Sequence, residues 1–304
     1  MSELEVVVSI CMITYNHEKY IAQAIEGVIM QNTTFPIELI IGEDCSTDNT
    51  RKICLEYKAK YPDIIRLILP ENNLGVKRNF RETMQAANGK YIALCEGDDF
   101  WIDPLKLQKQ IDFMEKNEDY SLCGHNAIIL KTGMKKNEVE LFNHFLKDTD
   151  INIGQLVSKW SIPTASIVVR KEVALYNPDW CIDIYSCDYK LLLLSFFKGK
   201  IKYFEDVMSV YRIISGGLSL SAQIDKDRTF VMNQHLSLLE SFNKGTEYLY
   251  SHTINNQINH LKNEIAFHNL KSKSLLLALF FNPSIFITKL HRKAKKTFTD
   301  YKDR

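Results

Sequence analysis

The sequence has almost no net charge to offer a polyanionic partner. Its 304 residues carry 38 lysines and arginines against 37 aspartates and glutamates, a formal net charge of +1. Proteins that hold nucleic acid neutralise its phosphates with a basic excess. We therefore expect no nucleic-acid partner. The 45% of hydrophobic and 25% of charged residues are typical of a folded globular protein.

Paired-cysteine motifs are also missing. The cysteines are odd in number, scattered along the chain and mostly set in apolar runs rather than in CxxC pairs. We expect them to be buried free thiols in a reducing cytoplasm. They are Cys11, Cys45, Cys54, Cys95, Cys123, Cys181 and Cys187.

The sequence has no apolar run long enough to span a bilayer. The run from Leu275 to Leu290 is broken by Asn282-Pro283. The first residues include acidic side chains where a secretory signal would be basic. These features predict a cytoplasmic protein without a transmembrane segment.

Apolar periodicity predicts strands that alternate with helices. Residues 6–13 are β-branched and apolar at both parities, as in a central parallel strand that is covered on both faces. The other predicted strands are 37–42, 64–69, 91–95, 120–131, 166–170 and 201–211. The predicted helices are 17–31, 48–61, 76–87, 104–116 and 188–198, with a helical pattern from about 223. The pattern predicts an α/β fold with a Rossmann-like, mostly parallel sheet flanked by helices and a helical C-terminal appendage.

Carboxylates cluster after the predicted strand 91–95. Glu96, Asp98 and Asp99 precede an aromatic pair and Pro104, a residue suited to the first turn of a helix. Ligands of open α/β sheets bind at the carboxyl ends of strands, and clustered carboxylates repel one another unless a cation lies among them. Mg²⁺ or Mn²⁺ is the expected occupant. The alternative is an acidic turn that caps the following helix.

Two further predicted strands end in polar residues at the same edge. Glu43, Asp44 and Asp48 follow the strand 37–42; we interpret Asp48 as a helix cap and Asp44 as a hydrogen-bond acceptor for a base such as uracil. Tyr15, in the Thr14-Tyr15-Asn16 loop, has a ring that can stack on that base, although asparagine is also common in a plain turn. Together these residues indicate a site for a nucleoside diphosphate.

The chain resembles the family 2 glycosyltransferases, which have the GT-A fold. The resemblance rests on VVVSICMITYNHEKYIAQAIEGVIMQ, IELIIGEDCSTDNT, NNLGVKRNF and NGKYIALCEGDDFWIDPLKLQKQ, in unbroken order over roughly the first 120 residues. It implies that Thr14, Tyr15 and Asp44 contact the nucleotide base. It also implies that Asp98 and Asp99 bind ribose, phosphate and metal. Glu96 stands where the family usually has the first aspartate of its DxD motif.

The resemblance also places the 72–78 segment near the nucleotide. Asn72, Asn73 and Gly75 match that stretch, and Lys77 or Arg78 is a candidate phosphate contact. The alternative for the two basic residues is a solvated helix face. Asn16 and Asn73 complete the expected nucleotide-sugar contacts.

An inverting transfer needs a carboxylate base across the cleft. In the family an acidic residue that opens a helix at this point in chain order is the base, and Asp188 matches it best, with Asp183 in reserve. The alternative for Asp188 is a helix cap. The stretch from Tyr211 to Ser221 resembles a family flap in which Arg212 pairs with phosphate and Gly216-Gly217 gives flexibility; an ordinary turn is the alternative. Thr164 and Ser166 are weaker acceptor-side candidates.

The tail joins apolar residues to a basic run, His291 to Lys296. This composition suits peripheral contact with the inner face of an anionic membrane, or a core-docked helix with a solvated basic end. Membrane contact would favour a lipid-linked glycan acceptor over a free glycan. A homodimer through the C-terminal helices is a further expectation.

The predicted organisation is a GT-A catalytic domain at 1–220 and a helical region at 221–304. Residues 1–120 form the nucleotide-sugar-binding half and 121–220 the acceptor-side half. The predicted function is inverting transfer from a nucleotide sugar, expected to be a UDP-sugar, to an acceptor hydroxyl in surface polysaccharide or glycan synthesis. One alternative is a sugar nucleotidyltransferase, although the sequence lacks the glycine-rich basic loop of that class. The other is a catalytically degenerate nucleotide-binding scaffold.

Overall fold

A computed structural model describes residues 5–131, 140–144, 147–158, 161–213 and 228–271. The strands are β1 Val8–Thr14, β2 Ile37–Glu43, β3 Ile65–Ile68, β4 Tyr91–Leu94, β5 Phe100–Trp101, β6 Tyr120–Lys131, β7 Glu140–Leu141, β8 Thr149–Asp150, β9 Val168–Arg170 and β10 Lys200–Ile213. The α-helices are α1 Ile21–Ile29, α2 Thr50–Lys60, α3 Val76–Gln85, α4 Lys106–Lys116, α5 Ile153–Ser158, α6 Lys171–Ala174, α7 Cys187–Lys198, α8 Arg228–Gly245 and α9 Ser251–Lys271. A 3₁₀ turn spans Thr164–Ser166.

One mixed sheet organises the described chain. Its strand order is β3-β2-β1-β4-β9-β6-β10-β5, with β7 on β6 and β8 on β10. Strands β3, β2, β1 and β4 are parallel neighbours, whereas β9 runs antiparallel to both β4 and β6. The predicted α/β fold and the parallel N-terminal half are therefore confirmed. Because Thr14 pairs with Glu43 in register, the loops after β1 and β2 leave the sheet at the same edge.

Both faces of the sheet are covered by helices. On β1, Ile10 and Met12 join one apolar cluster with α1 and α4, while Cys11 joins a second cluster with α3, α7 and α8. Ile10 and Met12 are fully buried and Cys11 nearly so. This accounts for the apolar run at both parities, since each face of a doubly covered strand must bury its side chains.

The helix predicted to open at Pro104 begins later, at Lys106. Residues 100–101 form the short strand β5, which pairs antiparallel with β10. Asp103 then makes the turn: its carboxylate accepts from the Leu105 amide at 2.8 Å. The aromatic pair is therefore part of the sheet. The local sequence pattern did not predict this strand.

The C-terminal helices are part of the same core. Leu238, Leu239 and Phe242 of α8 and Ile254 and Ile258 of α9 belong to the apolar cluster that also contains α7. Burying a large aliphatic or aromatic side chain contributes roughly 1.5–3 kcal/mol. The described part of this helical C-terminal region thus shares an apolar core with α7.

Two expectations fall outside the described residues. They are the flap at Gly216-Gly217 and the tail beyond 271. All seven cysteines are described and carry free thiols; five are buried, as predicted, whereas Cys45 and Cys187 are only partly buried. Within the described ranges, no helix has the length and apolar character needed to cross a bilayer.

Candidate functional site

A cavity of 340 Å³ opens at the carboxyl edge of β1, β2 and β4. Its walls also include the start of α3, the start of α7 and the end of β10. The predicted site residues that line it are Thr14, Tyr15, Asp44, Asn73, Asp98, Asp188 and Arg212. Asn16, Lys77 and Asp99 are not among the lining residues.

The end of β1 supplies a polar wall and an exposed ring. Thr14 is buried, and its hydroxyl lies 3.2 Å from Nδ1 of His17. Tyr15 is 38% exposed and lines the cavity, so one face of its ring is free for a stacking partner. His17 also lines the cavity, with Nε2 3.9 Å from Oδ2 of Asp98. The sequence analysis did not predict His17 as a site residue, although its position three residues after Thr14 could have indicated that it lies near the site.

Asn16 links two loops instead of facing the cavity. Its φ of 55° is in the left-handed region, where asparagine is tolerated better than most residues. Its side-chain oxygen accepts from the Thr47 amide at 2.8 Å, and its own amide donates to the Ser46 hydroxyl at 3.0 Å. Asn16 therefore fixes the loop that carries Tyr15.

Asp44 holds the turn that leads into α3. Its two carboxylate oxygens accept from the amides of Leu74 at 2.7 Å and Gly75 at 3.0 Å. Asn73 donates from its side chain to the Asp44 carbonyl at 2.8 Å. Gly75 has a φ of 77°, which a side chain would strain. Because each carboxylate oxygen has a second acceptor position, Asp44 remains able to accept from a ligand.

The other two acids of the second motif have structural contacts. Asp48 accepts from the Thr50 amide at 2.9 Å, beside the start of α2, and from the Glu18 amide at 3.0 Å. The N-cap of α2 is Asn49, so Asp48 holds the turn just before the helix rather than the cap position itself. Glu43 is fully buried and forms an ion pair with Arg51.

The acidic loop after β4 concentrates negative charge at the cavity. Glu96 and Asp98 both line it. Burial raises the pKa of Glu96 well above its ordinary value, and the charges of Asp98, Asp99 and Asp188 raise it further. A cation among these groups would relieve the repulsion and allow all of them to ionise.

Asp99 lies beneath this loop. It is 1% exposed, and its Oδ1 accepts from the Arg212 amide at 2.8 Å. Its Oδ2 is buried without a hydrogen-bond partner among the described residues. Burial, followed by the charge of Asp98, raises the pKa of Asp99 well above its usual range. Asp99 thus joins β10 to the acidic loop, while Asp98 is the aspartate that reaches the cavity.

Arg212 also binds the acidic loop from behind. Its guanidinium lies over the Phe100 ring at 4.3 Å and donates to the Asp98 carbonyl and to the Gln23 side chain. Only 7% of the residue is exposed. Two of its five guanidinium N–H donors are therefore committed to protein, and the pairing of Arg212 with phosphate stays a prediction. The neighbouring Tyr211 lines the cavity and was not predicted.

Asp188 lines the same cavity as Glu96 and Asp98, from the first turn of α7. It is 8% exposed, and its Oδ2 accepts from the Thr164 hydroxyl at 3.0 Å. Burial raises the pKa of Asp188, and the Thr164 hydrogen bond opposes the rise. A carboxylate with a raised pKa that faces a cavity has the properties of a general base.

Helix α8 holds the segment just before Asp188. The Gln234 side chain accepts from the Tyr185 amide at 2.6 Å, and Nε2 of His235 lies 3.0 Å from the Ser186 hydroxyl. The His235 ring also packs on Tyr189 at 4.6 Å. Burial lowers the pKa of His235 to about 4, so this ring is neutral at physiological pH. The position of Asp188 therefore depends on α8.

Two of the remaining candidates lie elsewhere. Lys77 and Asp183 line a separate cleft beside the cavity. Asp183 forms an ion pair with Lys190 at 2.5 Å, and that hydrogen bond lowers its pKa. Asp188 rather than Asp183 is thus the carboxylate that lines the cavity together with Glu96 and Asp98.

The cavity fits a divalent cation whose coordination shell is completed by the substrate. Across the described ranges, no group of three or more His, Cys, Asp or Glu side chains has metal-binding geometry. Mg²⁺ is commonly held by one or two carboxylates together with phosphate oxygens and water. Glu96 and Asp98, with their mutual repulsion, match that arrangement.

The sequence matches the family model described as glycosyl transferase family 2 over residues 9–172. The uncharacterized protein Rv1520 of Mycobacterium tuberculosis is 37% identical over 228 residues, 75% of this chain and 64% of the relative. The match thus spans less than two thirds of that relative. The Escherichia coli UDP-Glc:alpha-D-GlcNAc-diphosphoundecaprenol beta-1,3-glucosyltransferase WfgD is 31% identical over 61% of this chain and 68% of its own length.

Solved structures share the fold. TarS of S. aureus (residues 1–349, in complex with UDP-GlcNAc) aligns with a TM-score of 0.57 and 16% identity, over 86% of this chain and 81% of TarS. The mannosyltransferase PcManGT of Pyrobaculum calidifontis, in complex with GDP-Man and Mn²⁺, aligns with a TM-score of 0.57 and 12% identity, over 99% and 84%. At these identities the comparison establishes the fold alone.

Proposed function

The chain belongs to glycosyl transferase family 2, and we propose that it moves a sugar from a UDP-sugar to an acceptor hydroxyl with inversion at the anomeric carbon. The observation that carries this proposal is the arrangement of one cavity. Glu96 and Asp98 line it from the loop after β4, and the buried carboxylate of Asp188 lines it from the first turn of α7. An inverting transfer needs carboxylates from two different elements, because the leaving group and the base act on opposite faces of the sugar.

Tyr15 and Asp44 are the proposed contacts for the uracil base. The exposed Tyr15 ring offers a stacking face, and the Asp44 carboxylate accepts hydrogen bonds at the end of β2. Thr14 and Asn73 line the same end of the cavity. The WfgD relative is named for UDP-Glc, which supports a uridine donor here.

Glu96 and Asp98 are the residues that would hold Mg²⁺ or Mn²⁺. When bound, the cation would neutralise the negative charge of the donor diphosphate. Mn²⁺ in the PcManGT complex supports this assignment. Asp99 and Arg212 fix the loop that carries these two carboxylates.

Asp188 takes the proton in the reaction we propose. The acceptor oxygen forms a bond to the anomeric carbon, the bond from that carbon to the diphosphate oxygen breaks, and the hydroxyl proton moves to the Asp188 carboxylate. The products are the glycoside and UDP. Thr164 orients the carboxylate through its hydrogen bond.

The acceptor is proposed to be a glycan or lipid-linked glycan, used in surface polysaccharide synthesis at the cytoplasmic side of the membrane. The WfgD relative is named for a lipid-diphosphate acceptor, which supports this class. Peripheral contact through the C-terminal tail and a homodimer through the helical region belong to the same proposal.

Calorimetric titration of UDP with and without Mn²⁺ tests the donor site. Wild type should bind UDP more tightly with Mn²⁺, and Asp98→Asn should lose that dependence. Asp63→Asn, an exposed aspartate between α2 and β3, is the matched control and should behave as wild type. Absence of UDP binding in both conditions would overturn the uridine assignment. UDP binding without turnover of any UDP-sugar over a mixed acceptor panel would instead favour a degenerate scaffold.

A further inference from the structure

A second cleft adjoins the donor cavity. It measures 150 Å³ and lies between α3 and the segment that contains α7. Phe80 and Cys187 line both the cleft and the cavity, and Cys187 immediately precedes Asp188. The cleft therefore adjoins the cavity on the side of the proposed base.

The cleft is cationic. Lys77 and Arg81, one turn apart on α3, line it together with Lys190 of α7, whereas its one lining carboxylate is Asp183. Lys190 is paired with Asp183. In the part of the chain that the structure describes, neither Lys77 nor Arg81 has a salt-bridge partner. The charge of Asp183 also acts on Lys77 and Arg81. Three cations against this one carboxylate still leave the cleft an excess of positive charge for an anion.

The outer face of the same helix behaves differently. Arg78 forms an i,i+4 ion pair with Glu82 at 2.6 Å. A merely solvated helix face is usually balanced in this way. The unbalanced pair of cations, Lys77 and Arg81, is the one that lines a cavity.

The floor of the cleft is apolar. Met84, Ile184, Leu191 and Leu194 line it and are at most 4% exposed, and Leu175 at its side is 39% exposed. A free inorganic anion would leave this floor unused. A ligand with a phosphate group next to an apolar chain satisfies both parts of the cleft.

We propose that this cleft binds the phosphate or diphosphate of an acceptor that carries an apolar chain, with Lys77 and Arg81 on the anion. The proposal rests on the proposed transfer to an acceptor at Asp188 and specifies the acceptor class as a lipid phosphate. Lys77, expected from the sequence to contact the nucleotide, is thereby assigned to the acceptor side.

Calorimetric titration of the full chain with farnesyl diphosphate, in EDTA so that no metal bridges the probe to Glu96 and Asp98, tests the cleft. Wild type should bind farnesyl diphosphate more tightly than inorganic pyrophosphate, because pyrophosphate leaves the floor empty. Lys77→Gln/Arg81→Gln should weaken farnesyl diphosphate by about tenfold or more, the scale of a lost charge-assisted contact at an exposed site. Arg78→Gln is the matched control and should leave the affinity unchanged.

A parallel UDP titration with Mn²⁺ separates this inference from the proposed donor. The double variant should bind UDP as wild type does, and its thermal melt should match that of the Arg78→Gln control. The cleft assignment would be overturned if the double variant bound farnesyl diphosphate with unchanged affinity, or if UDP displaced farnesyl diphosphate from the protein. Either result would leave the donor proposal standing. If UDP fails to bind while farnesyl diphosphate binds through Lys77 and Arg81, the lipid-phosphate site is supported and the donor proposal falls.

Discussion

The replacement of Asp188 by asparagine is expected to stop sugar transfer while leaving donor binding in place. Loss of a general base typically costs roughly 10²- to 10⁴-fold in rate. Asparagine keeps the shape of the side chain, and its amide oxygen can still accept from the Thr164 hydroxyl, which lies 3.0 Å from the carboxylate. We therefore expect kcat to fall by that range and the affinity for UDP with Mn²⁺ to change little.

Stability gives an independent readout of the same change. Burial raises the pKa of Asp188, so the folded protein binds a proton there more tightly than the unfolded chain does. The contribution of this proton to the free energy of unfolding is fully present below the pKa of the unfolded state, about 4 for aspartate. It is lost as the pH rises through the pKa of the folded state. The asparagine of the Asp188→Asn variant would carry no such charge. The variant should melt at a higher temperature than wild type at neutral pH, and the difference should vanish at low pH.

Two neighbouring aspartates make this prediction refutable. Asp183→Asn removes the alternative base, and Asp179→Asn alters an exposed aspartate on the same segment. The Lys190 ion pair lowers the pKa of Asp183, so Asp183→Asn should lower the melting temperature at neutral pH, the opposite sign to Asp188→Asn. Transfer rates and melting curves would be measured for all three. Loss of transfer in Asp183→Asn with retained transfer in Asp188→Asn would refute the assignment of the base.

Three further substitutions test the surroundings of the site. Thr164→Val removes the hydrogen bond that opposes the raised pKa of Asp188, so the acid limb of the pH–kcat profile should move to higher pH; an unmoved limb would contradict the contact. Gly97→Ala places a Cβ 2.5 Å from the Thr14 hydroxyl, which should cost about 1–3 kcal/mol in urea unfolding and weaken UDP in calorimetry. His235→Ala should lower kcat by about two- to tenfold, the scale of one lost hydrogen bond, and should leave the affinity for UDP unchanged. His235→Gln should restore part of the lost kcat. An equal loss of kcat and of UDP affinity in His235→Ala would contradict a positioning role.

The N-terminal half of the fold could be predicted from the sequence because its strands are buried on both faces. Strand β1 is apolar at both parities and was predicted to within two residues at its start. β5 could not be found in the same way, since two residues carry no period and the strand exists through its pairing with β10, far later in the chain. Local pattern specifies an element only where burial repeats along it.

The cavity residues show a similar limit. Thr14, Tyr15 and Asp44 could be placed because the ends of parallel strands share an edge. The adjacent Asp98 and Asp99 could not be told apart: the amide of Arg212, 113 positions later in the chain, turns Asp99 away from the cavity. Asn16 and Lys77 are of a suitable residue type at a suitable position in the chain, but the contacts that orient their side chains cannot be read from the sequence.

The position of Asp188 has a consequence for where acceptor choice is encoded. The family match ends at residue 172, whereas Asp188 and the α8 residues that hold its segment come later in the chain. The second cleft is built across this limit, from α3 within the match and α7 beyond it. The proposed donor wall is thus formed by strand ends inside the matched region, and the proposed base is placed by packing outside it. Changes on α7 and α8 can therefore alter the acceptor and the proton transfer while the carboxylates that face the donor stay where they are.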